Sequence, residues 1–172
     1  MLTLLKLLQS LVKTLHSEGT PVQIAAGIAL GAALGLTPLM SLHNVFVLAA
    51  LTLLNVSFAA GLLGLALFTP VGFILDPLFD RIGHGLLLGV DSLRPLWIFA
   101  DSTPVVAYFN LNNTVVVGSL LAWLVLSIPI FVLARVGVIR YRATWGERVE
   151  QSKVVKAIKA SRLYNVYTWF RE

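Results

Sequence analysis

Residues 19–75 read GTPVQIAAGIALGAALGLTPLMSLHNVFVLAALTLLNVSFAAGLLGLALFTPVGFIL, and none of these 57 residues is Asp, Glu, Lys or Arg. An α-helix advances about 1.5 Å per residue, and the hydrocarbon core of a bilayer is about 30 Å thick. The stretch is too long for a single crossing, so we expect it to turn inside a membrane or at its edge. It therefore predicts an all-α membrane protein with more than one membrane-embedded segment.

The composition of the whole chain agrees. Of its 172 residues, 58% are hydrophobic and only 12% are charged, and the mean hydropathy is +0.86. These values exclude a disordered chain and an ordinary soluble domain. Cysteine is absent, which excludes disulfides, thiolate metal sites and thiol catalysis.

Charge is concentrated at the C-terminal end. Residues 135–172 hold nine Lys or Arg and three Asp or Glu, whereas residues 1–134 carry a balance of −1. The positive-inside rule places such a basic end in the cytoplasm. Because the basic residues directly follow an apolar segment, we expect them to meet anionic lipid headgroups rather than nucleic acid. The headgroup-binding candidates are Lys153, Lys156 and Lys159.

Three parts of the chain can be distinguished. Residues 1–17 have the leucine spacing of an interfacial amphipathic helix, residues 18–139 form a membrane domain, and residues 140–172 form a basic amphipathic tail. For both terminal segments, a helix packed against its own domain or against a partner is an equally good interpretation.

Thr-Pro pairs mark the predicted helix boundaries. Thr20 and Pro21 begin a helix that should run to about Leu36, and Thr37-Pro38 and Thr69-Pro70 should each end one helix and start another. The predicted fold is thus two Pro-broken helical hairpins, at about 21–54 and 56–89. Whether these hairpins are re-entrant stays open. Paired broken segments are the usual indication of a transport site.

Only residues 115–139 look like an ordinary spanning helix, with a kink expected at Pro129. Earlier in the chain, Gly27, Gly31 and Gly35 recur at every fourth position. Such a stripe lets another helix approach closely in lipid. That helix can belong to the same chain or to a second copy, so the stripe is also compatible with a homo-oligomer.

A polar pair, His43-Asn44, lies in the middle of the uncharged stretch, six residues after Thr37-Pro38. Polar groups in lipid are costly and usually face protein or a water-filled cavity. The pair therefore either forms hydrogen bonds between helices or lines a polar membrane site. Such a site would comprise Thr37, Pro38, His43, Asn44, Thr69 and Pro70.

Signs of catalysis are missing from the sequence. It has no Gly-rich phosphate loop, no His-x-x-x-His pair and no Gly-x-Ser-x-Gly motif. Asp76 and Asp80 are one helical turn apart and suit either a cation site or, more simply, a helix end at lipid headgroups. We therefore expect a protein that is not an enzyme and that uses no cofactor and no metal.

Three segments resemble an uncharacterised bacterial membrane family, domain of unknown function 2062: GTP at 19–21, GIALG at 27–31, and GLTP at 35–38 followed by Leu42-His43. In that family a small-residue helix runs into a Gly-x-x-Pro turn, and a polar residue follows. A second break matches Phe68-Thr69-Pro70, although many members have Asn-Pro there. The resemblance covers roughly residues 15–90.

The layout of the whole chain is similar to a subfamily whose genes often neighbour a large AsmA-like protein. Such proteins are associated with lipid traffic across the bacterial envelope. The resemblance implies a bacterial inner-membrane location and a lipid-related partner, but no activity. Three functions compete: an anchoring or feeding subunit for a lipid-transfer partner, a stand-alone transporter or flippase of a lipid or small solute, and, with the least support, a membrane enzyme.

Overall fold

The computed structural model describes residues 19–144, and all secondary structure in this range is helical. The predicted interfacial helix at 1–17 and the basic residues Lys153, Lys156 and Lys159 lie outside the described residues. The described helices are α1 (Pro21–Leu36), α2 (Leu42–Leu53), α3 (Phe58–Gly89), α4 (Arg94–Ser102), α5 (Pro104–Ala107) and α6 (Thr114–Thr144), with a 3₁₀ turn at Asp91–Leu93 between α3 and α4.

Helix α1 has the bounds that the sequence predicts. At its start, the Gln23 backbone N–H donates to the Thr20 hydroxyl at 3.2 Å, and the Thr20 N–H donates to Gln23 Oε1 at 2.8 Å. This capping box satisfies two donors that the first turn leaves free. The helix ends because Pro38 disfavours helical geometry in the residue before it, and Thr37 is extended with φ −101° and ψ 151°.

The first predicted hairpin is present, with one change. Helix α2 begins at Leu42 and not at Pro38, so residues 37–41 form the bend between α1 and α2. Helix α2 contacts both α1 and the start of α3, where Leu51 lies against Gly61. We call α1, this bend and α2 the α1–α2 hairpin.

The predicted second hairpin is wrong. Helix α3 is continuous for 32 residues and contains both Pro70 and Pro77. A proline removes one backbone hydrogen bond, whereas ending a helix in apolar surroundings would leave several backbone groups unpaired. The helix therefore continues through Thr69-Pro70, and the Thr69 hydroxyl donates to the Leu65 carbonyl at 2.7 Å.

Two helices, α3 and α6, are long and apolar enough to cross a membrane. The sequence indicated only one, at 115–139, because the break expected at Pro70 divided α3 into two short pieces. Helix α6 is also longer than predicted, and Pro129 lies inside it. Length and composition thus mark α3 and α6 as candidate membrane spans.

The three longest helices within residues 19–144, α1, α3 and α6, pack side by side. Gly27 lies against Ala60 and Gly35 lies against Thr69, so α1 runs parallel to the first half of α3. The bend of the α1–α2 hairpin consequently lies beside the middle of α3 and not at its end.

Helix α6 runs antiparallel to both. Its start lies near the end of α3, where Thr114 contacts Gly83, and its C-terminal half meets the start of α3, where Val138 clusters with Ala60 and Ile24. The basic residues of α6, such as Arg142, are therefore at the same end as the start of α1, and the Arg142 guanidinium donates to the Gly19 carbonyl at 2.9 Å.

Candidate functional site

The glycine stripe on α1 is where α3 packs most closely. A Cβ atom added to Gly31 would collide with the Gly61 carbonyl and lie 2.9 Å from the Leu65 nitrogen. A Cβ on Gly27 would meet the Ser57 carbonyl, and one on Gly35 would lie 2.8 Å from the Leu65 carbonyl oxygen. All three glycines therefore face the backbone of α3, where any side chain would force the helices apart.

Two glycines of α3 lie against the backbone of α1 in the same way. A Cβ on Gly64 would lie 2.5 Å from the Ile28 carbonyl oxygen, and one on Gly72 would lie 2.6 Å from the Gly35 carbonyl oxygen. The sequence analysis did not select these two glycines, because their spacing of eight residues is less conspicuous than the stripe on α1. Together they continue the close α1–α3 contact up to the bend of the hairpin.

The bend itself is organised by Asn44, which is buried although it is polar. Its side-chain oxygen lies 2.9 Å from the Thr37 hydroxyl, which also contacts the Ala33 carbonyl at 2.8 Å. Its amide group donates to the carbonyls of Pro38 at 2.8 Å and Leu39 at 3.2 Å. Asn44 therefore satisfies two backbone carbonyls of the bend, which lie beyond the end of α1 and belong to no helix.

A second asparagine, Asn110, holds the bend from outside. Its side-chain amide donates to the Met40 carbonyl at 2.8 Å and contacts the Ser41 hydroxyl at 3.1 Å. The Leu42 N–H also donates to the Tyr108 carbonyl at 2.9 Å. Asn110 has a positive φ of 54°, a conformation that asparagine tolerates better than most residues. The segment joining α5 to α6 thus packs against the hairpin, a contact 70 residues apart that no local sequence signal reveals.

His43 is buried beside Asn44 but is bonded differently. The residue is 7% exposed, and within residues 19–144 neither ring nitrogen meets the full geometry of a hydrogen bond, although the Phe109 backbone lies close to the imidazole. An unpaired buried polar group costs about 1–3 kcal/mol. Of the pair that the sequence analysis singled out, Asn44 is explained by the architecture of the bend and His43 is not.

The two Thr-Pro pairs come close together. Thr69 is beside Gly35, and Gly72 is beside Leu36, so Thr69-Pro70 of α3 lies at the level of Thr37-Pro38. Their hydroxyl groups make the same bond, each to the carbonyl four residues earlier. The predicted polar set is therefore gathered at one level of the molecule, although only Thr37-Pro38 interrupts a helix.

A residue that the sequence analysis did not select joins α6 to α1. The Trp123 indole N–H donates to the Ala29 carbonyl at 2.9 Å. A buried indole N–H needs such a partner, and a tryptophan in the interior of an apolar helix is the signal that points to one. This bond lies at about the middle of the glycine stripe, so it fixes α6 against the opposite side of α1.

One member of the acidic pair on α3, Asp80, is hydrogen-bonded to another helix. The Asp80 carboxylate accepts a hydrogen bond from the Thr114 hydroxyl at the start of α6. In the described part of the chain, no group of three or more His, Cys, Asp or Glu residues is placed to hold a metal ion. Asp80 thus has a structural role between two helices. Asp101 of α4 has a similar role, because it accepts a hydrogen bond at 3.0 Å from the side-chain amide of Asn112 in the connection before α6.

Comparison with known proteins gives the family. Residues 6–146 match the family described as "Uncharacterized protein conserved in bacteria (DUF2062)". The chain belongs to this family. An "Uncharacterized protein" of Treponema pallidum (strain Nichols) is 31% identical over 139 residues, which cover 81% of this chain and 85% of the relative. No solved structure matches the chain.

The match reaches further than the resemblance seen in the sequence, which covered residues 15–90. It includes α6 and the connection before it, so the contact between Asn110 and the bend lies inside the family region.

Proposed function

We propose that this chain is a non-enzymatic inner-membrane protein that anchors or feeds an envelope lipid-transfer partner. Helices α3 and α6 would cross the membrane, and the α1–α2 hairpin would be re-entrant, entering from the basic end and turning before the far side. Helix α1 has 16 residues and is about 24 Å long, which is shorter than a crossing.

The observation that carries the proposal is how the polar bend is closed. Both Asn44 amide donors bond to backbone carbonyls and its oxygen lies 2.9 Å from the Thr37 hydroxyl, so Asn44 has no donor left for a passing substrate. In contrast, the surface around the bend exposes large apolar side chains, among them Met40 at 92%, Phe46 at 61% and Tyr108 at 71%. A closed polar centre with an apolar exterior suits contact with lipid and with a partner better than passage of a solute.

The partner class comes from the family resemblance, which implies a lipid-related, AsmA-like envelope protein. Membrane lipids are the other partners, since the exposed side chains of α3 and α6 are largely apolar. The basic residues at the end of α6 support a cytoplasmic C-terminus.

The test is affinity purification from the native membrane in mild detergent, with the tag at the C-terminus. We expect an AsmA-like protein to be retained in amounts comparable to the tagged chain, as quantified by mass spectrometry. A tagged inner-membrane protein of another family, expressed at the same level, is the control. Retention of the tagged chain with lipid only would contradict the anchoring function.

One observation favours a stand-alone transporter or flippase as a second candidate. The His43 imidazole is buried without a well-formed hydrogen bond among the described residues, and a transported group or proton could supply one. Proteoliposomes containing the purified chain alone would then move a fluorescent lipid between leaflets. His43→Leu would stop the movement, whereas the anchoring function predicts no movement with either chain.

A further inference from the structure

A cleft of about 500 Å³ lies at the end of the molecule where α3 stops and α6 begins. Its walls come from the last turn of α3, the 3₁₀ turn, α4 and the first residues of α6. A volume of this size is typical of sites for small molecules. None of its lining residues belongs to the polar bend, so it is a separate place on the molecule.

The cleft carries charge of both signs on otherwise apolar walls. Asp91, Arg94 and Asp101 line it together with leucine and isoleucine side chains. Within residues 19–144, the side chains of Asp91 and Arg94 have no hydrogen-bond or ion-pair partner. Asp101 accepts a single bond, from Asn112. The cleft therefore offers one guanidinium and two carboxylates to a ligand.

An unpaired donor lies in the same wall. The indole nitrogen of Trp97 is buried, and it has no hydrogen-bond partner among the described residues. The only other described tryptophan, Trp123, has its N–H bonded to a carbonyl. A buried N–H without an acceptor is costly, and rotation of the Trp97 side chain toward an acceptor bound in the cleft would relieve that cost.

The position of the cleft matches the headgroup level of a bilayer. The uncharged part of α3, from Phe58 to Leu75, is about 27 Å long, and that of α6, from Thr114 to Ala134, is about 31 Å long. Both lengths fit a hydrocarbon core of about 30 Å. Thr114 lines the cleft at the start of the uncharged part of α6. On α3 the cleft is lined by Leu87 and Leu88, which come after the charged residues that follow Leu75, so it lies outside the uncharged parts of both helices, on the side opposite the basic residues.

We propose that this cleft binds a zwitterionic phospholipid whose headgroup carries a phosphate and a primary ammonium. Arg94 would bind the phosphate, the carboxylates of Asp91 and Asp101 would bind the ammonium, and the Trp97 N–H would donate to a lipid oxygen. The leucines at the end of α3 would contact the upper part of an acyl chain. The inference rests on the membrane arrangement of the proposed function but not on its partner.

Charge selects this lipid class over the others. An anionic headgroup such as that of phosphatidylglycerol would place its charge beside two carboxylates and offer them only neutral hydroxyl donors. A choline headgroup has no N–H to donate, whereas a primary ammonium has three donors for the two acidic side chains. The expected order of affinity is therefore phosphatidylethanolamine above phosphatidylcholine and phosphatidylglycerol.

Native mass spectrometry of the full chain in detergent tests this order. The three lipids, with identical acyl chains, are titrated separately and bound lipid is counted. We expect phosphatidylethanolamine to bind about tenfold more tightly than the other two, because its charge-assisted hydrogen bonds are retained. Equal binding of the three lipids would overturn the proposal.

Substitutions of residues that line the cleft test whether the lipid binds there. Arg94→Gln should weaken phosphatidylethanolamine binding about tenfold, and Trp97→Phe about fivefold, since it removes a neutral hydrogen bond but keeps the ring. Arg81→Gln is the matched control, because Arg81 is exposed on α3 and does not line the cleft. Circular dichroism verifies that each variant keeps its helix content. If Arg94→Gln and Arg81→Gln bind the lipid equally, the cleft is not the site.

A final competition measurement distinguishes binding of an intact lipid from binding of a free headgroup. Soluble O-phosphoethanolamine, added at the concentration of the lipid, should displace none of it, because the apolar walls require the acyl chain. Complete displacement would overturn the assignment to a membrane lipid. These measurements need no partner protein, so their failure is distinct from failure of the co-purification experiment.

Discussion

Replacing Gly31 by leucine tests the packing of the membrane domain most directly. Even the first atom of a side chain at this position would collide with the Gly61 carbonyl, and it would lie 2.8 Å from the Gly61 carbonyl carbon and 2.9 Å from the Leu65 nitrogen. These are backbone atoms of α3 and cannot rotate away as a side chain could. The two helices must therefore separate, or one must tilt.

The magnitude follows from the length of the contact. Extra atoms in a well-packed core cost about 1–3 kcal/mol. Separating packed atoms by about 1 Å forfeits up to half of their dispersion attraction, and here the close contact extends from Gly27 to Gly35. We expect Gly31→Leu to lower the free energy of unfolding by at least about 3 kcal/mol, which corresponds to about 6–12 °C in melting temperature for a chain of this size.

The assay is thermal loss of helical circular dichroism in detergent, with Gly137→Leu as the matched control. Gly137 is also in an apolar helix, but a Cβ added there has no heavy atom within 4 Å. The control therefore makes the same chemical change without a collision, and its melting temperature should stay within about 2 °C of the wild type. Equal melting of the two variants would refute the close α1–α3 contact.

Three further predictions concern the bend and the topology. Asn44→Asp should destabilise the protein by about 1–3 kcal/mol in the same melts, because a carboxylate cannot donate to two buried carbonyls. Its control is Asn55→Asp, which changes an exposed side chain and should cost less than about 1 kcal/mol. His43→Cys should not react with a water-soluble maleimide while Ser92→Cys, at an exposed site, does, and equal labelling would show that water reaches the bend. A cytoplasm-dependent reporter fused after Glu172 should be active, and activity of a periplasm-dependent one there would contradict the predicted orientation.

The parts of the fold that the sequence predicts are those with local chemical causes. Thr20 and Gln23 are three residues apart and form the capping box by themselves, so the start of α1 needs no tertiary information. The glycine period of four likewise places three glycines on one helix face. What a local pattern does not contain is the identity of the neighbour, which proves to be α3 running parallel to α1.

The polar bend is only half predictable for the same reason. His43 and Asn44 stand out because they are polar residues in an uncharged stretch, and both are buried in the structure. Asn110 does not stand out, since it is one of several polar residues in a connection that is already polar. Its contact with Met40 depends on how α5 and α6 are placed, and that placement is fixed by the packing of α6 against α1 and α3.

The two Thr-Pro pairs show why a motif alone does not decide a helix boundary. Thr37 and Thr69 each bond to the carbonyl four residues earlier, and each is followed by proline, yet only the first ends a helix. The difference lies seven residues further on. Asn44 follows Thr37 at that distance and donates to the carbonyls of Pro38 and Leu39 in the bend. Asp76 follows Thr69 at the same distance.

A carboxylate accepts hydrogen bonds but lacks the N–H donors of an amide, so Asp76 is no substitute for Asn44 and could not pair the carbonyls of a bend after Pro70. In apolar surroundings those carbonyls would stay unpaired, and the continuous helix, which loses a single bond at each proline, has the lower free energy. The amide at Asn44 thus permits the first break, and the lack of an equivalent donor favours a continuous α3. A Thr-Pro pair inside an apolar stretch predicts a bend only when a side-chain donor is close enough in the following sequence to cap it.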